Sequence, residues 1–195
     1  TLADEDWRFT SLNAIRSCYF QHSSDPQGLS SGAFQSIETP LKNQACIRMV
    51  LVDGIFNETL SDRSLLPEEV CLMSLKQAVQ DPDSPLKNHL GQYTYGNDSP
   101  FAALNAACFE DGICLKVPKG VQLELPIQIM HVATAQPQAY AIFARCWIHM
   151  EAGSKATVME TFHGMDQGVY LSAPTLECLL EDQAHLEHIK VQDES

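Results

Sequence analysis

The sequence predicts a mainly β protein with some α, in which a mixed helical and hairpin region over residues 1–110 precedes a β-solenoid over residues 111–195. Three observations support this fold class. The spacing of apolar residues changes from helical to alternating near residue 112, strand-and-turn units then recur about every 30 residues, and no helical pattern separates those units. With 195 residues and 45% hydrophobic content, the chain has enough apolar side chains to form a core.

The first 44 residues indicate little regular structure. Apolar residues from Trp7 through Leu12 to Phe20 have intervals that fit either one face of a helix or the packing of a loop. Residues 21–44 are rich in Ser, Gln, Gly and Pro, which is typical of a loop.

A hairpin is predicted next. An apolar run from Ile47 to Val52 meets Asp53-Gly54, a pair that suits the positive φ angles of a two-residue turn. Residues 67–80, PEEVCLMSLKQAVQ, are ambiguous. Pro67 followed by two acidic residues favours the start of a helix, whereas the run from Val70 to Met73 favours a strand, and the strand is weakly preferred.

The stretch FAALNAACFEDGICLKVPKGVQLELPIQI, residues 101–129, marks the change of structure. Its first half has helical spacing, and Asp98-Ser99-Pro100 before it supplies a capping residue and a proline for the first turn. Asp111-Gly112 ends the helix. The second half alternates apolar and polar residues from Val121 to Gln128, which predicts a strand.

The second half of the chain repeats. Gly120, Gly153 and Gln183 occupy equivalent turn positions, at offsets of 33 and 30 residues. In this register Ala156 aligns with Leu186. Strands that recur at this period without intervening helices favour a β-solenoid, while the turn signals also fit a β-sandwich, and periodicity leaves both open.

Composition excludes several classes of function. The net charge of −13 disfavours binding to nucleic acid or to anionic membrane, because both carry negative charge. No apolar run approaches the roughly 20 residues that a membrane-spanning helix needs. The seven cysteines are widely spaced without a CxxC pair, so we expect reduced thiols and a cytoplasmic location.

Five stretches, taken together and in order, resemble the SufB/SufD family of iron–sulfur cluster assembly proteins, and most closely its SufD branch. The stretches are EDWRFTSL at 5–12, MVLVDGIF at 49–56, the segment 101–129, FARCWIHMEAGSKATVMETF at 143–162 and AHLEHIKVQDES at 184–195. Arg145 matches a basic position of the family. Ala144 replaces the proline that commonly precedes this arginine in SufB-like sequences, which favours SufD.

The resemblance implies a right-handed parallel β-helix from residue 111 onward, on which SufB and SufD pair. It implies a non-catalytic scaffold with SufB and the SufC ATPase as partners, and an iron–sulfur cluster only at the level of the full complex. It further implies that this chain is an N-terminal part, with later coils and a C-terminal helical domain missing. We therefore expect self-association through the open end of the β-helix.

No catalytic, cofactor-binding or metal-binding residue is predicted within this chain. His185 and His188 form an H-x-x-H pattern, but residues three apart on a strand point to opposite faces. His149 and His163 lack an evident third ligand, and His131 is interpreted as marking the end of a strand.

Two cysteines receive a register prediction. The repeat aligns Cys146 with Leu176 and Cys178 with Ile148, so the two thiols should share one face of adjacent strands. Thiolates bind iron well, yet free cysteine is also a common core residue, and core packing is the favoured interpretation.

The alternative function is a β-solenoid that binds or cleaves carbohydrate. Such proteins place acidic residues along consecutive coils, and Glu151 and Glu181 align in the repeat. They fall at turns, however, and no aromatic stripe accompanies them. Neighbouring acids such as Glu110-Asp111 are interpreted as solvated surface groups.

Overall fold

A computed structural model of the chain describes residues 11–22, 29–82, 84, 86, 89–93, 99–165 and 168–194. The interpretations that rest on Trp7, Phe9 and Asp98 lie outside the described residues.

Four helices occur in the described part of the chain: α1 (Asn13–Ser17), α2 (Ser31–Gln35), α3 (Leu75–Gln80) and α4 (Pro100–Cys108). The hydroxyl groups of Ser30, Ser74 and Ser99 accept a backbone N–H at the starts of α2, α3 and α4. The predicted start of α4 at Ser99-Pro100 is confirmed. The short helix α2 lies within the segment predicted to be a loop, because Ser30 provides a cap that composition did not reveal.

Twelve strands are described. They are β1 (Gln21–His22), β2 (Ile47–Val52), β3 (Ile55–Phe56), β4 (Cys71–Ser74), β5 (Gly112–Val117), β6 (Ile127–Ala133), β7 (Tyr140–Ile142), β8 (Arg145–Met150), β9 (Lys155–Gly164), β10 (Tyr170–Ser172), β11 (Thr175–Leu180) and β12 (His185–Asp193). The hairpin of β2 and β3 around Asp53-Gly54 is confirmed. The ambiguous segment 67–80 is both a strand and a helix, since β4 runs directly into α3.

The strands form three sheets, with the orders β1-β7-β10, β11-β8-β5-β4 and β12-β9-β6-β2-β3. The pairings β2–β3 and β4–β5 are antiparallel, and the others between named strands are parallel. The three latest strands of the chain, β10, β11 and β12, each occupy one edge of a sheet.

The predicted right-handed parallel β-helix is wrong: the fold is mixed α/β, with three mostly parallel sheets and few helices. Strands β2 and β4, which precede the repeat, pair with β6 and β5 and so enter the two larger sheets. Periodic spacing identifies strands but not their hydrogen-bond partners, and this is why the prediction failed. The β-sandwich alternative fails as well, because it requires mainly antiparallel pairing.

The predicted repeat register is confirmed. Gly112 pairs with Arg145, an offset of 33 residues, and Arg145 pairs with Thr175, an offset of 30 residues. Ala156 pairs with Leu186 as aligned. The equivalent turn positions are all left-handed, with φ of 74° at Gly120, 68° at Gly153 and 60° at Gln183. A shared backbone conformation therefore explains why these positions align.

The main apolar core lies between the two larger sheets. It consists of side chains that alternate along β2, β5, β6, β8 and β9, among them Met49, Leu115, Ile129, Ile148 and Val158, all 0% exposed. Complete burial of aliphatic side chains from both sheets indicates that these layers stabilise the fold, at roughly 1.5–3 kcal/mol for each large side chain.

Candidate functional site

A cluster of chemically reactive side chains lies in this otherwise apolar core. His131 on β6, Cys146 on β8 and Glu160 on β9 are buried, and His188 on β12 adjoins them with its side chain about one-third exposed. We call these four residues the polar core cluster. It joins the two larger sheets, since β8 belongs to one and β6, β9 and β12 to the other.

Strand alternation places Glu160 inside the core. Ala156 and Val158 on β9 belong to the main core, and Glu160 follows two residues later on the same face. The strand thus carries a carboxylate into a position where its sequence pattern calls for an apolar side chain.

Two imidazoles share the Glu160 carboxylate. His131 Nε2 lies 2.9 Å from Oε1, and His188 Nε2 lies 2.8 Å from Oε2. An ionised carboxylate only accepts hydrogen bonds, so each imidazole donates its Nε2–H. Both oxygens of the buried carboxylate are therefore satisfied by charge-assisted hydrogen bonds.

The electrostatic balance keeps Glu160 ionised and Cys146 protonated. Burial tends to raise the pKa of Glu160, but the hydrogen bonds from His131 and His188 outweigh burial and hold this pKa well below its usual range. Burial raises the pKa of the Cys146 thiol well above its usual value, and the nearby Glu160 charge adds to this rise.

Aromatic and cationic groups close the cluster on one side. The Phe162 ring stacks on His131 with centroids 4.2 Å apart and planes 6° apart. Lys190 Nζ lies 4.6 Å from the centroid of the Phe162 ring. His131 is thus held in one orientation by a parallel stack as well as by its hydrogen bond.

The cluster offers one nitrogen, one sulfur and one oxygen ligand. His131, Cys146 and Glu160 each contribute an atom, and these atoms all lie within 4.8 Å of one another. Imidazole, thiolate and carboxylate are the ligand types that proteins use for zinc and related transition metals.

The register prediction for the two cysteines is confirmed. Cys146 pairs with Leu176 and Cys178 pairs with Ile148, and both thiols contact the main core. Cys178 is only partly buried because β11 is an edge strand. All seven cysteines are described, and all seven are free thiols.

The other predicted histidines do not join the cluster. His149 Nε2 lies 2.8 Å from Glu181 Oε1, and His163 is a buried residue of β9 whose burial lowers its pKa. His185 is exposed at the start of β12, while His188 contacts Glu160, so the H-x-x-H pair does not converge.

The acidic residues weighed in the sequence have specific partners. Glu151 Oε1 lies 2.7 Å from Lys116 Nζ. Asp111 is buried rather than solvated, which corrects the interpretation of Glu110-Asp111 as a surface pair. Its carboxylate accepts the backbone N–H groups of Phe56 and Lys76, each at 3.0 Å, and thereby ties the hairpin and α3 to the start of β5.

Sequence reasoning did not single out Glu160. The available signal was a charged residue at a position of β9 where alternation predicts an apolar one, which indicates a buried and paired charge. His131 was assigned to the end of a strand because its spatial partner, Glu160, is 29 residues away in sequence.

No helix in the described part of the chain is long and apolar enough to cross a membrane.

Comparison with family models accounts for nearly the whole chain. Residues 1–129 match the model described as "SufBD protein N-terminal region". Residues 131–195 match "SUF system FeS cluster assembly, SufBD core domain".

Curated proteins from a cyanobacterium and a plant are similar over almost the full chain. "Iron-sulfur cluster assembly SufBD family protein slr0076" of Synechocystis is 26% identical over 98% of this chain and 43% of the relative. "Protein ABCI7, chloroplastic" of Arabidopsis thaliana is 26% identical over 98% of this chain and 40% of the relative. The chain thus spans less than half the length of these relatives.

Proposed function

The chain belongs to the SufBD family, and on that premise we propose that it acts in iron–sulfur cluster assembly as a non-catalytic scaffold subunit that pairs with SufB and with the SufC ATPase. The observation that carries this proposal is the pair of family models, which together match residues 1–129 and 131–195 in consecutive order. The core model is itself described as part of iron–sulfur cluster assembly in the SUF system.

We further propose that the chain is of the SufD type. Ala144 stands where SufB-like sequences commonly have proline, and this residue is buried immediately before β8. The role is scaffolding rather than catalysis, which agrees with the engagement of the weighed acids in ion pairs and backbone hydrogen bonds. The seven free cysteines favour a reducing compartment, such as the cytoplasm.

The test is co-expression with tagged SufB and SufC from the same organism, followed by affinity purification and mass determination. A stable complex of all three proteins is the expected result. A folded, soluble protein that elutes without either partner would contradict the proposed scaffold role.

A matched variant sharpens the test. Leu180 is 45% exposed on the edge strand β11, and Leu104 is 38% exposed on α4. If β11 contributes to partner binding, Leu180→Lys should reduce recovery of the complex, while Leu104→Lys should not.

A further inference from the structure

We propose that the polar core cluster is a binding site for one divalent transition-metal ion, with His131 Nε2, Cys146 Sγ and a Glu160 carboxylate oxygen as its ligands. His188 would hold the second carboxylate oxygen and so orient Glu160 as a supporting partner. The site rests on side-chain geometry and stands whether or not the protein assembles iron–sulfur clusters.

The three ligand atoms already converge. They lie within 4.8 Å of one another. Around a tetrahedral zinc ion with bonds of about 2.0–2.3 Å, neighbouring ligand atoms are about 3.3–3.7 Å apart. An inward shift of about 1 Å or less for each pair therefore forms the site, and rotation of the side chains supplies such a shift.

The ligands come from three strands of two sheets, which holds their backbones firmly. β6 and β9 are paired neighbours in the five-stranded sheet, and β8 is an inner strand of the four-stranded sheet. All three side chains sit in or beside an apolar core, where bulk water does not compete for the ion. The stack of Phe162 on His131 further restricts the imidazole ring.

The supporting partner is also in place. His188 Nε2 donates to Glu160 Oε2 at 2.8 Å, which leaves Oε1 for the ion in exchange for its hydrogen bond from His131. Outer hydrogen bonds of this kind fix the orientation of a ligand and typically change metal affinity by about 10–100-fold.

The ligand set selects the class of metal. One imidazole, one thiolate and one carboxylate suit Zn²⁺, Fe²⁺ or Co²⁺, whereas Mg²⁺ and Ca²⁺ prefer oxygen ligands only. Coordination requires the thiolate and an unprotonated His131 Nε2. With His131 neutral and Glu160 ionised, each bound ion displaces one proton from the Cys146 thiol to solvent, while the Nε2 proton of His131 moves to Nδ1.

The test is titration of the metal-free chain with Co²⁺, whose thiolate complexes absorb in the near ultraviolet. We expect one equivalent of Co²⁺ to produce a thiolate-to-cobalt band that Zn²⁺ then abolishes. Cys146→Ser should remove the band, and Glu160→Gln should weaken binding at least tenfold. Cys114→Ala is the matched control, because Cys114 is another fully buried thiol that packs in a different cluster with Trp147.

Two further measurements keep the proposal testable if a core variant does not fold. His188→Gln, near the exposed edge, should weaken Co²⁺ binding by about 10–100-fold but keep the thiolate band. X-ray absorption of the Co²⁺-loaded wild-type chain should show one sulfur ligand beside nitrogen and oxygen. Absence of stoichiometric uptake, coordination without sulfur, or a band that persists in Cys146→Ser would overturn the proposal.

Discussion

At the scale of single residues, Arg145 is the most heavily engaged charge in the core. It is 1% exposed, its Nε lies 2.8 Å from Glu177 Oε1, and its Nη1 lies 2.9 Å from Asn105 Oδ1. Glu177 also accepts the backbone N–H of Gly91 at 2.9 Å. The pair thus links β8, β11, α4 and the loop at residues 89–93.

We expect Glu177→Ala to lower the free energy of unfolding by about 3–5 kcal/mol, because it leaves the buried Arg145 charge without its partner. Urea denaturation followed by circular dichroism measures this change. The control is Lys42→Ala, which breaks the solvent-exposed pair with Glu38 and should cost about 1 kcal/mol or less. Equal effects of the two variants would contradict the structural role assigned to Glu177.

The pH dependence of stability should show two stages. Burial lowers the pKa of His163 below its ordinary value of 6.5, although Asp193 and Glu194 oppose this effect. The unfolded state then binds more protons, so stability falls as the pH drops below 6.5. The lowered pKa of Glu160 adds a second loss as the pH drops below 4.5.

Urea titrations between pH 8 and pH 4 would resolve these stages (roughly 1.4 kcal/mol accompanies each unit of pKa difference). His163→Gln should remove the first stage and leave the second. Stability that is constant from pH 7 to pH 5 in the wild-type chain would show that His163 does not titrate as expected.

At the scale of elements, Gly112 is the position where β5 and β8 approach most closely. A Cβ atom at Gly112 would overlap the backbone carbonyl of Arg145, its partner in the parallel pairing. Gly112→Ala should therefore force β5 away from β8 and lower the free energy of unfolding by more than about 3 kcal/mol.

Gly32→Ala is the matched control for Gly112→Ala. Gly32 lies in α2, and a Cβ atom there would meet nothing within 4 Å. Alanine should be neutral or stabilise the chain by up to about 1 kcal/mol, because it favours the helix. Thermal unfolding of both variants compares them directly, and a tolerated Gly112→Ala would argue against the close pairing of β5 and β8.

Sequence patterns were sufficient for the elements that depend on local chemistry. The hairpin at Asp53-Gly54, the start of α4 at Ser99 and the register of the repeat all follow from turn residues, caps and alternation. The arrangement of the sheets did not follow, since pairing of β2 with β6 joins residues 80 apart. The domain boundary at residue 110 stays a prediction.

The polar core cluster was beyond sequence reasoning for the same reason. His131, Cys146 and Glu160 are close in space because β6, β8 and β9 belong to facing sheets, and no spacing rule connects a histidine in one turn of the chain with a carboxylate 29 residues later. A single charge within an alternating apolar strand was the local sign.

At the scale of the whole molecule, three sheets present free edges on the same set of late strands. In the described chain β10, β11 and β12 each have a partner on one side. Leu180 is 45% exposed there, and Leu186 packs only partly against the core. Exposed edges of this kind pair readily with other strands.

We expect the isolated chain to self-associate through these edges, with mass rising in a concentration series in the analytical ultracentrifuge. Leu180→Lys should weaken association about tenfold because it places a charge at the contact, and Leu104→Lys on α4 should leave it unchanged. A single monomeric species at every concentration, with the wild-type chain folded, would exclude this mode of association.

The long parallel register also sets a timetable for synthesis. Each of β8 and β9 finds its next partner about 30 residues later in the chain, at Thr175 and His185 respectively. A ribosome adds about 5–20 residues per second, so a finished strand waits about 2–6 s for its neighbour. During that interval the nascent sheet exposes a growing edge, and a chaperone at the ribosome exit would have most to protect at that time.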